Sequence, residues 1–315
     1  MAAVSTSLRS VPSSASPLRP LRPSLFAAPA RLLFSAGIRA VSPIRVAGPR
    51  RFCCRATSPI AGMAEKGKGK VEVFDSEEEL AVSLAKYTSD LSSKFTSERG
   101  AFTVVVSGGS LIKSLRKLVE PPYVDSIDWS KWHVFWVDER VVPKDHDDSN
   151  YKLAYDGFLS KVPILPGNVY SINDALSAEG AADDYETCLK HLVKSRVITT
   201  SDKTGFPKFD LMLLGMGPDG HIASLFPGHP LMNEKEKWIT FIKDSPKPPL
   251  ERITFTFPVI NSSAYIALVV AGAGKAPVVQ TALRDSQNSE KLPVQLVSPE
   301  GELTWFLDRD AASKL

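Results

Sequence analysis

The 315 residues carry 38 basic and 35 acidic side chains, a net charge of +3, with three cysteines. Nine arginines and no acidic residue lie between Met1 and Arg55, so the remainder holds 29 basic against 35 acidic residues, a balance of −6. A mildly acidic body gives no charge argument for a nucleic-acid partner, and no run reaches the roughly 18 apolar residues of a membrane span. Cys53 and Cys54 lie in the arginine-rich leader. Cys188 alone builds neither a disulfide framework nor a thiolate metal site, and it is expected to pack as a small apolar residue.

In chain order, residues 1–63 are rich in Arg, Ser and Pro and have no carboxylate, which reads as an organellar transit peptide. The plastid is the leading destination and the mitochondrion the second; a basic arm for nucleic acid or membrane is the competing reading. Residues 64–70 form a polar joint, residues 71–310 a single α/β domain, and residues 311–315 a tail ending in Ser313-Lys-Leu315. That tripeptide is a receptor-read peroxisomal address. The expected partners are thus import receptors and a small molecule, with no membrane.

Within the body, Phe74–Lys94 reads as a helix with Asp75 or Ser76 as its N-cap. Phe102–Val106 is a β-branched strand and Ser110–Val119 a helix. Trp132–Val137 is a second strand, followed by helices over Asn150–Leu159 and Ala178–Val193. Phe209–Leu214 is apolar enough for a strand buried on both faces, whereas Ile253–Phe257 alternates as a half-exposed strand should. Tyr265–Val270 and Val294–Val297 are further strands, with Gly274–Leu283 helical between them. Alternating strands and helices predict an open, mostly parallel twisted sheet with helices on both faces. Ligands of such sheets bind beyond the carboxyl ends of the strands.

Three strand ends carry chemistry. Ser107-Gly108-Gly109-Ser110 follows the first strand; it suits a phosphate at a helix N-terminus, and equally an ordinary strand-to-helix turn. Asp138-Glu139-Arg140 follows the second, either as a solvated rim or with Arg140 gripping an anion through its planar fork. Gly215-Met-Gly-Pro-Asp-Gly-His221 follows the third and spells the dinucleotide fingerprint. The context fails, because Pro227, Gly228 and Pro230 stop any helix after about two turns. His221 is the better focus. A histidine takes and returns protons near neutrality, and Asp219 in the same turn can orient it. The plainer reading is a histidine that caps the turn.

Of the other histidines, His133 reads as packed in its strand, His146 as solvated, His191 as helical and His229 as part of a Pro-Gly turn. No pair has metal-ligand spacing, so no metal is expected. Arg252 opens the alternating strand and Lys275 ends Gly272-Ala-Gly-Lys275, where a lysine suits a monophosphate. A P-loop is excluded, since its first glycine is missing and Ala276 stands where Ser or Thr would hold magnesium. No G-x-S-x-G elbow occurs. A general base with phosphate grips, without cofactor, metal or covalent nucleophile, is what remains.

The motifs V-V-V-S-G-G-S-L (104–111), W-V-D-E-R (136–140), S-N-Y (149–151), L-L-G-M-G-P-D-G-H-I-A-S-L-F-P-G (213–228), R-I-T-F-T (252–256) and A-G-A-G-K-A (271–276) together resemble the 6-phosphogluconolactonase family. With the leader, the likeness is to the plant plastid forms. The resemblance implies the Rossmann-like fold shared with sugar-phosphate deaminases and isomerases. It also implies hydrolysis of 6-phospho-D-glucono-1,5-lactone in the oxidative pentose phosphate pathway. His221 then falls on the water-activating base, and Ser107, Gly108, Gly109, Ser110, Arg140, Arg252 and Lys275 on the substrate and phosphate contacts. Asp138 and Asp219 fall on supporting carboxylates. The nearest competitor is the glucosamine-6-phosphate deaminase family, which has a glutamate where this chain has Phe226 and a tyrosine where it has Arg140. A non-catalytic relative that keeps the fold is a third reading.

Overall fold

The computed structural model describes residues 69–284 and 291–315. The leader and residues 64–68 of the polar joint lie outside them. In chain order the strands are β1 (Lys70–Phe74), β2 (Phe102–Val106), β3 (Trp132–Trp136), β4 (Asp138–Arg140), β5 (Val169–Tyr170), β6 (Thr199–Thr200), β7 (Pro207–Lys208), β8 (Leu211–Leu214), β9 (Ile239–Ile242), β10 (Arg252–Phe255), β11 (Tyr265–Val270) and β12 (Glu302–Asp308). The α-helices are α1 (Glu77–Arg99), α2 (Leu111–Ser114), α3 (Tyr123–Ser126), α4 (Asn150–Gly157), α5 (Ala178–Lys194), α6 (Phe257–Asn261) and α7 (Ala276–Leu283).

The main sheet has seven strands in the order β1-β12-β11-β8-β2-β3-β5, and every neighbouring pair is parallel. Parallel neighbours require crossovers, and these carry the helices to both faces. Alternation along each strand divides the apolar residues into two cores. Val104, Val106, Leu211, Leu213 and Val269 pack with Leu80 and Leu84 of α1 and Leu111 of α2. Val105, Met212, Leu214, Leu268 and Val270 point the other way, to Tyr185 and Leu189 of α5 and Val278 of α7. Each buried aliphatic side chain contributes about 1.5–3 kcal/mol relative to exposure, so the two faces together fix the strand register. Val106 lies beside Leu213, and Leu214 beside Leu268. The segments following β2, β8 and β11 therefore emerge on one edge.

A second, antiparallel sheet, β4-β10-β9, stands beside this edge. It corrects two expectations. Asp138-Glu-Arg140 is a strand rather than a rim, paired so that Arg140 lies opposite Arg252. The strand expected at Ile253–Phe257 is Arg252–Phe255 and is buried throughout, not half-exposed. β4 and β9 flank it, and Phe255 packs on Phe209 and Tyr185.

Other boundaries move for local reasons. The helix expected from Phe74 begins at Glu77, because Ser76 is the cap whose side chain accepts the Glu79 N–H at 3.2 Å. Lys70–Phe74 is instead the edge strand β1, taking in the last residue of the polar joint. Ser110–Val119 is one α-turn followed by a 3₁₀ segment. Val294–Val297 is not a strand: Pro293–Leu296 forms a 3₁₀ turn, capped where the Gln295 side chain accepts the Leu292 N–H. The strand in that region is Glu302–Asp308, between β1 and β11. Cys188 is half-buried and packs against the second core, while His133 meets the Tyr170 hydroxyl at 3.1 Å.

Candidate active site

At the carboxyl edge lies a cleft of 220 Å³, lined by Ser107, Gly108, Gly109, Ser110, Asp138, Arg140, His221, Arg252 and Lys275 among others. Nine of the ten residues singled out in the sequence thus meet in one place, and the tenth, Asp219, is bonded to His221 directly behind it.

The turn after β8 is built by its own backbone. Gly217 N–H donates to His221 O and Gly220 N–H to Gly217 O. A Cβ on Gly217 would fall 2.0 Å from the His221 ring, so only glycine lets the imidazole fold back over the turn. No helix follows: Ile222 and Leu225 form an isolated bridge, which removes the dinucleotide setting altogether. His221 Nδ1 meets Asp219 Oδ1 at 2.5 Å. An ionised carboxylate only accepts, so Nδ1 carries a proton, and in the neutral ring Nε2 then keeps a lone pair. The ring packs on Phe226, centroids 4.7 Å apart, and the Arg252 guanidinium lies 5.7 Å over the same ring.

Burial pulls the imidazole below its ordinary pKa of 6.5; Asp219 and Asp138 oppose that and Lys247 adds to it, and the net shift is downward. Burial would raise the Asp219 carboxyl, but the bond to His221, its charge and Lys247 prevail and bring it down to about 2. The pair at neutral pH is a carboxylate beside a neutral imidazole.

The remaining residues divide between gripping and building. Gly108 must lack a side chain, since a Cβ would lie 1.9 Å from Asn150 Oδ1. Ser107 Oγ accepts the Gly215 N–H at 3.2 Å, tying the β2 loop to the β8 turn. Ser110 is exposed and makes no capping bond, and the helix behind it has only four residues, so little dipole stands there. Lys275 Nζ donates to Met216 O at 2.6 Å, and burial lowers its pKa. Arg140 Nη1 donates to Asp148 O, and its buried Nε has no partner among the described residues. Arg252 is 3% exposed; its Nε donates to Pro249 O, and one Nη to Lys247 O and Pro248 O. It is therefore at least as much a builder of the 245–250 strap as an anion grip. Asp138 accepts from Ser224 Oγ at 2.8 Å.

Three contributors were not singled out in the sequence. Asn150 lines the cleft at the start of α4. Buried Glu139 receives the N–H groups of Arg140, Asn150 and Tyr151, and burial lifts its carboxyl to about 7. Lys247 donates to Asp219 at 3.1 Å. A lysine between two prolines just before Arg252 was the available signal, but its partner is distant in sequence.

A family model described as glucosamine-6-phosphate isomerases/6-phosphogluconolactonase matches residues 75–305. Over 248 residues the chain is 75% identical to a probable 6-phosphogluconolactonase 4, chloroplastic, of Oryza sativa subsp. indica, covering 78% of this chain and 76% of that protein. It is 71% identical over 253 residues to the 6-phosphogluconolactonase 3, chloroplastic, of Arabidopsis thaliana, with coverage of 80% and 77%. Among solved structures, a 6-phosphogluconolactonase from Thermotoga maritima matches with a TM-score of 0.63 at 28% identity, covering 76% of this chain and 99% of that one.

Proposed function

We propose that this chain, which belongs to the family of glucosamine-6-phosphate isomerases and 6-phosphogluconolactonases, hydrolyses 6-phospho-D-glucono-1,5-lactone to 6-phospho-D-gluconate. The observation that carries the reading is the Asp219–His221 pair, whose Nδ1 is engaged and whose imidazole borders a cleft rimmed by Arg140, Arg252 and Lys275. His221 Nε2 takes a proton from water as the water oxygen bonds to the lactone carbonyl carbon. The resulting oxyanion is steadied by nearby donors, Arg140 among them. On collapse the bond from that carbon to the ring oxygen breaks, and Nε2 returns the proton to the departing oxygen. Lys275, Arg252 and the Ser107–Ser110 loop hold the 6-phosphate.

Phe226 favours hydrolysis over deamination, because a buried phenyl ring under the histidine offers no acid for ring opening. Both named plant relatives are called chloroplastic, and the acid-free leader fits delivery to a plastid. A peroxisomal second destination rests on the exposed Ser313-Lys-Leu315 alone. A coupled assay of lactone hydrolysis beside ammonia release from glucosamine 6-phosphate tests the activity. Lactone turnover without ammonia is expected; ammonia release, or turnover of neither compound, overturns it.

A further inference from the structure

We propose that Lys247 is a positioning residue for the base: its ammonium holds the Asp219 carboxylate in line with His221 Nδ1 and opposes a second proton on the ring, keeping Nε2 free. The inference rests on the lactonase reading for its kinetic consequence, though not for its geometry.

Asp219 Oδ1 lies 2.5 Å from His221 Nδ1 and 3.1 Å from Lys247 Nζ, and Nζ is 3.2 Å from Nδ1. Nδ1 donates its one hydrogen to the carboxylate, and an ammonium has no lone pair, so Nζ and Nδ1 are not hydrogen-bonded to each other. They are a cation against a ring nitrogen. A carboxylate so close to an imidazole by itself favours the imidazolium, which cannot act as a base. Lys247 offsets that effect twice, by sharing Oδ1 and by repelling positive charge on the ring.

The lysine is held by its backbone. Pro246 and Pro248 flank it, Ser245 Oγ donates to its carbonyl at 2.8 Å, and Arg252 donates to the same oxygen at 2.8 Å. Arg252 thus acts on His221 from two sides, through the strap and through Phe226. Among the described residues Asp138 on β4 also acts on the ring, Lys275 after β11 acts on Lys247 and Asp219, and Arg140 and Arg252 line the same cleft. Neither replaces Lys247, since Asp138 favours the imidazolium and Lys275 Nζ is bonded to Met216 O.

The test compares the full chain with Lys247→Met, Lys247→Gln and Lys247→Arg. The ring protons of His221 are titrated by NMR without substrate, assigned against His221→Asn, and kcat/KM for the lactone is followed with pH. Loss of the cation is expected to raise the His221 titration and the acid limb of kcat/KM together by about one pH unit. Lys247→Arg should restore both. A titration unmoved in the Met and Gln variants overturns the proposal; a raised KM with that titration unmoved assigns Lys247 to substrate binding instead. The substrate-free titration stands even if the wild-type chain hydrolyses no lactone, so failure here is distinguishable from failure of the lactonase reading.

Discussion

Asp210 precedes β8 and Asp219 follows it, so one strand carries a carboxylate at each edge of the sheet. Asp210 is 3% exposed and fully engaged: Arg99 grips it through Nε and Nη2, and the Thr103 N–H and hydroxyl both donate to it. Arg99 uses its remaining Nη on Val197 O. Asp219 has a side chain 37% exposed, and His221 and Lys247 both meet one of its oxygens. Around it Arg140, Arg252 and Lys275 face a cleft. The same residue type at the two ends of one strand therefore does different work. A charge satisfied inside the protein closes the amino edge, whereas the carboxyl edge concentrates cations around an open space.

The strongest challenge to that contrast is His221→Ala. Loss of a general base costs about 10²–10⁴-fold in rate, so kcat should fall by that amount while the melting curve stays in place. Turnover unchanged from wild type removes His221 from the chemistry. With His221 as the proposed base, the lowering of its imidazole pKa by burial should place the acid limb of kcat/KM below pH 6.5, which a pH profile of the wild-type chain checks.

At the other edge, Arg99→Met should reverse the pattern. It leaves a buried carboxylate without its cation, a loss of about 3–5 kcal/mol. Urea unfolding should show that loss while kcat of the folded protein is retained. A variant as stable as wild type would show that Asp210 is not locked as described.

Glu139 lies between the two cases, buried like Asp210 but set in β4 between Asp138 and Arg140, which line the cleft. Its carboxyl is raised from 4.5 to about 7, so the folded state holds a proton that the unfolded chain has already lost in that window. Stability from this group is fully present below pH 4.5 and declines as pH rises to about 7, by about 3 kcal/mol in all. Glu139→Gln should flatten the dependence of melting temperature on pH across that window. An unaltered slope assigns the dependence to other groups.

Lys275→Met should give the smallest change. A charge-assisted contact contributes about 1.5–3 kcal/mol, which is about 10–100-fold in KM. Steady-state kinetics should show kcat nearly constant. A fall in kcat alone would move Lys275 from the phosphate to the reacting centre.

Much of the site was legible because its signals are local. Gly217, Pro218, Gly220 and the Asp219–His221 spacing describe one turn, and its hydrogen bonds join residues two to four apart. The strand-end rule then gathered Ser107–Ser110, Asp138–Arg140 and Lys275 at the same edge. Arg252 shows where local reading stops. As a cation opening a strand it reads as an anion grip; that three carbonyls of the preceding strap also hold its guanidinium is a contact this local reading did not contain.

By itself the sequence determined the apolar runs of β2, β8 and β11, the glycine-dependent histidine turn and the parallel α/β class. Backbone period and turn chemistry are properties of a few consecutive residues. Only the tertiary structure decided that Glu302–Asp308 is the strand beside β11, while Val294–Val297 closes over the histidine turn through its Val294 N–H to Gly220 O. It alone brought Lys247 to a carboxylate 28 positions earlier in the chain. Both outcomes depend on which segments return to the same edge. That is fixed by burial across the whole sheet, and no short window of sequence contains it.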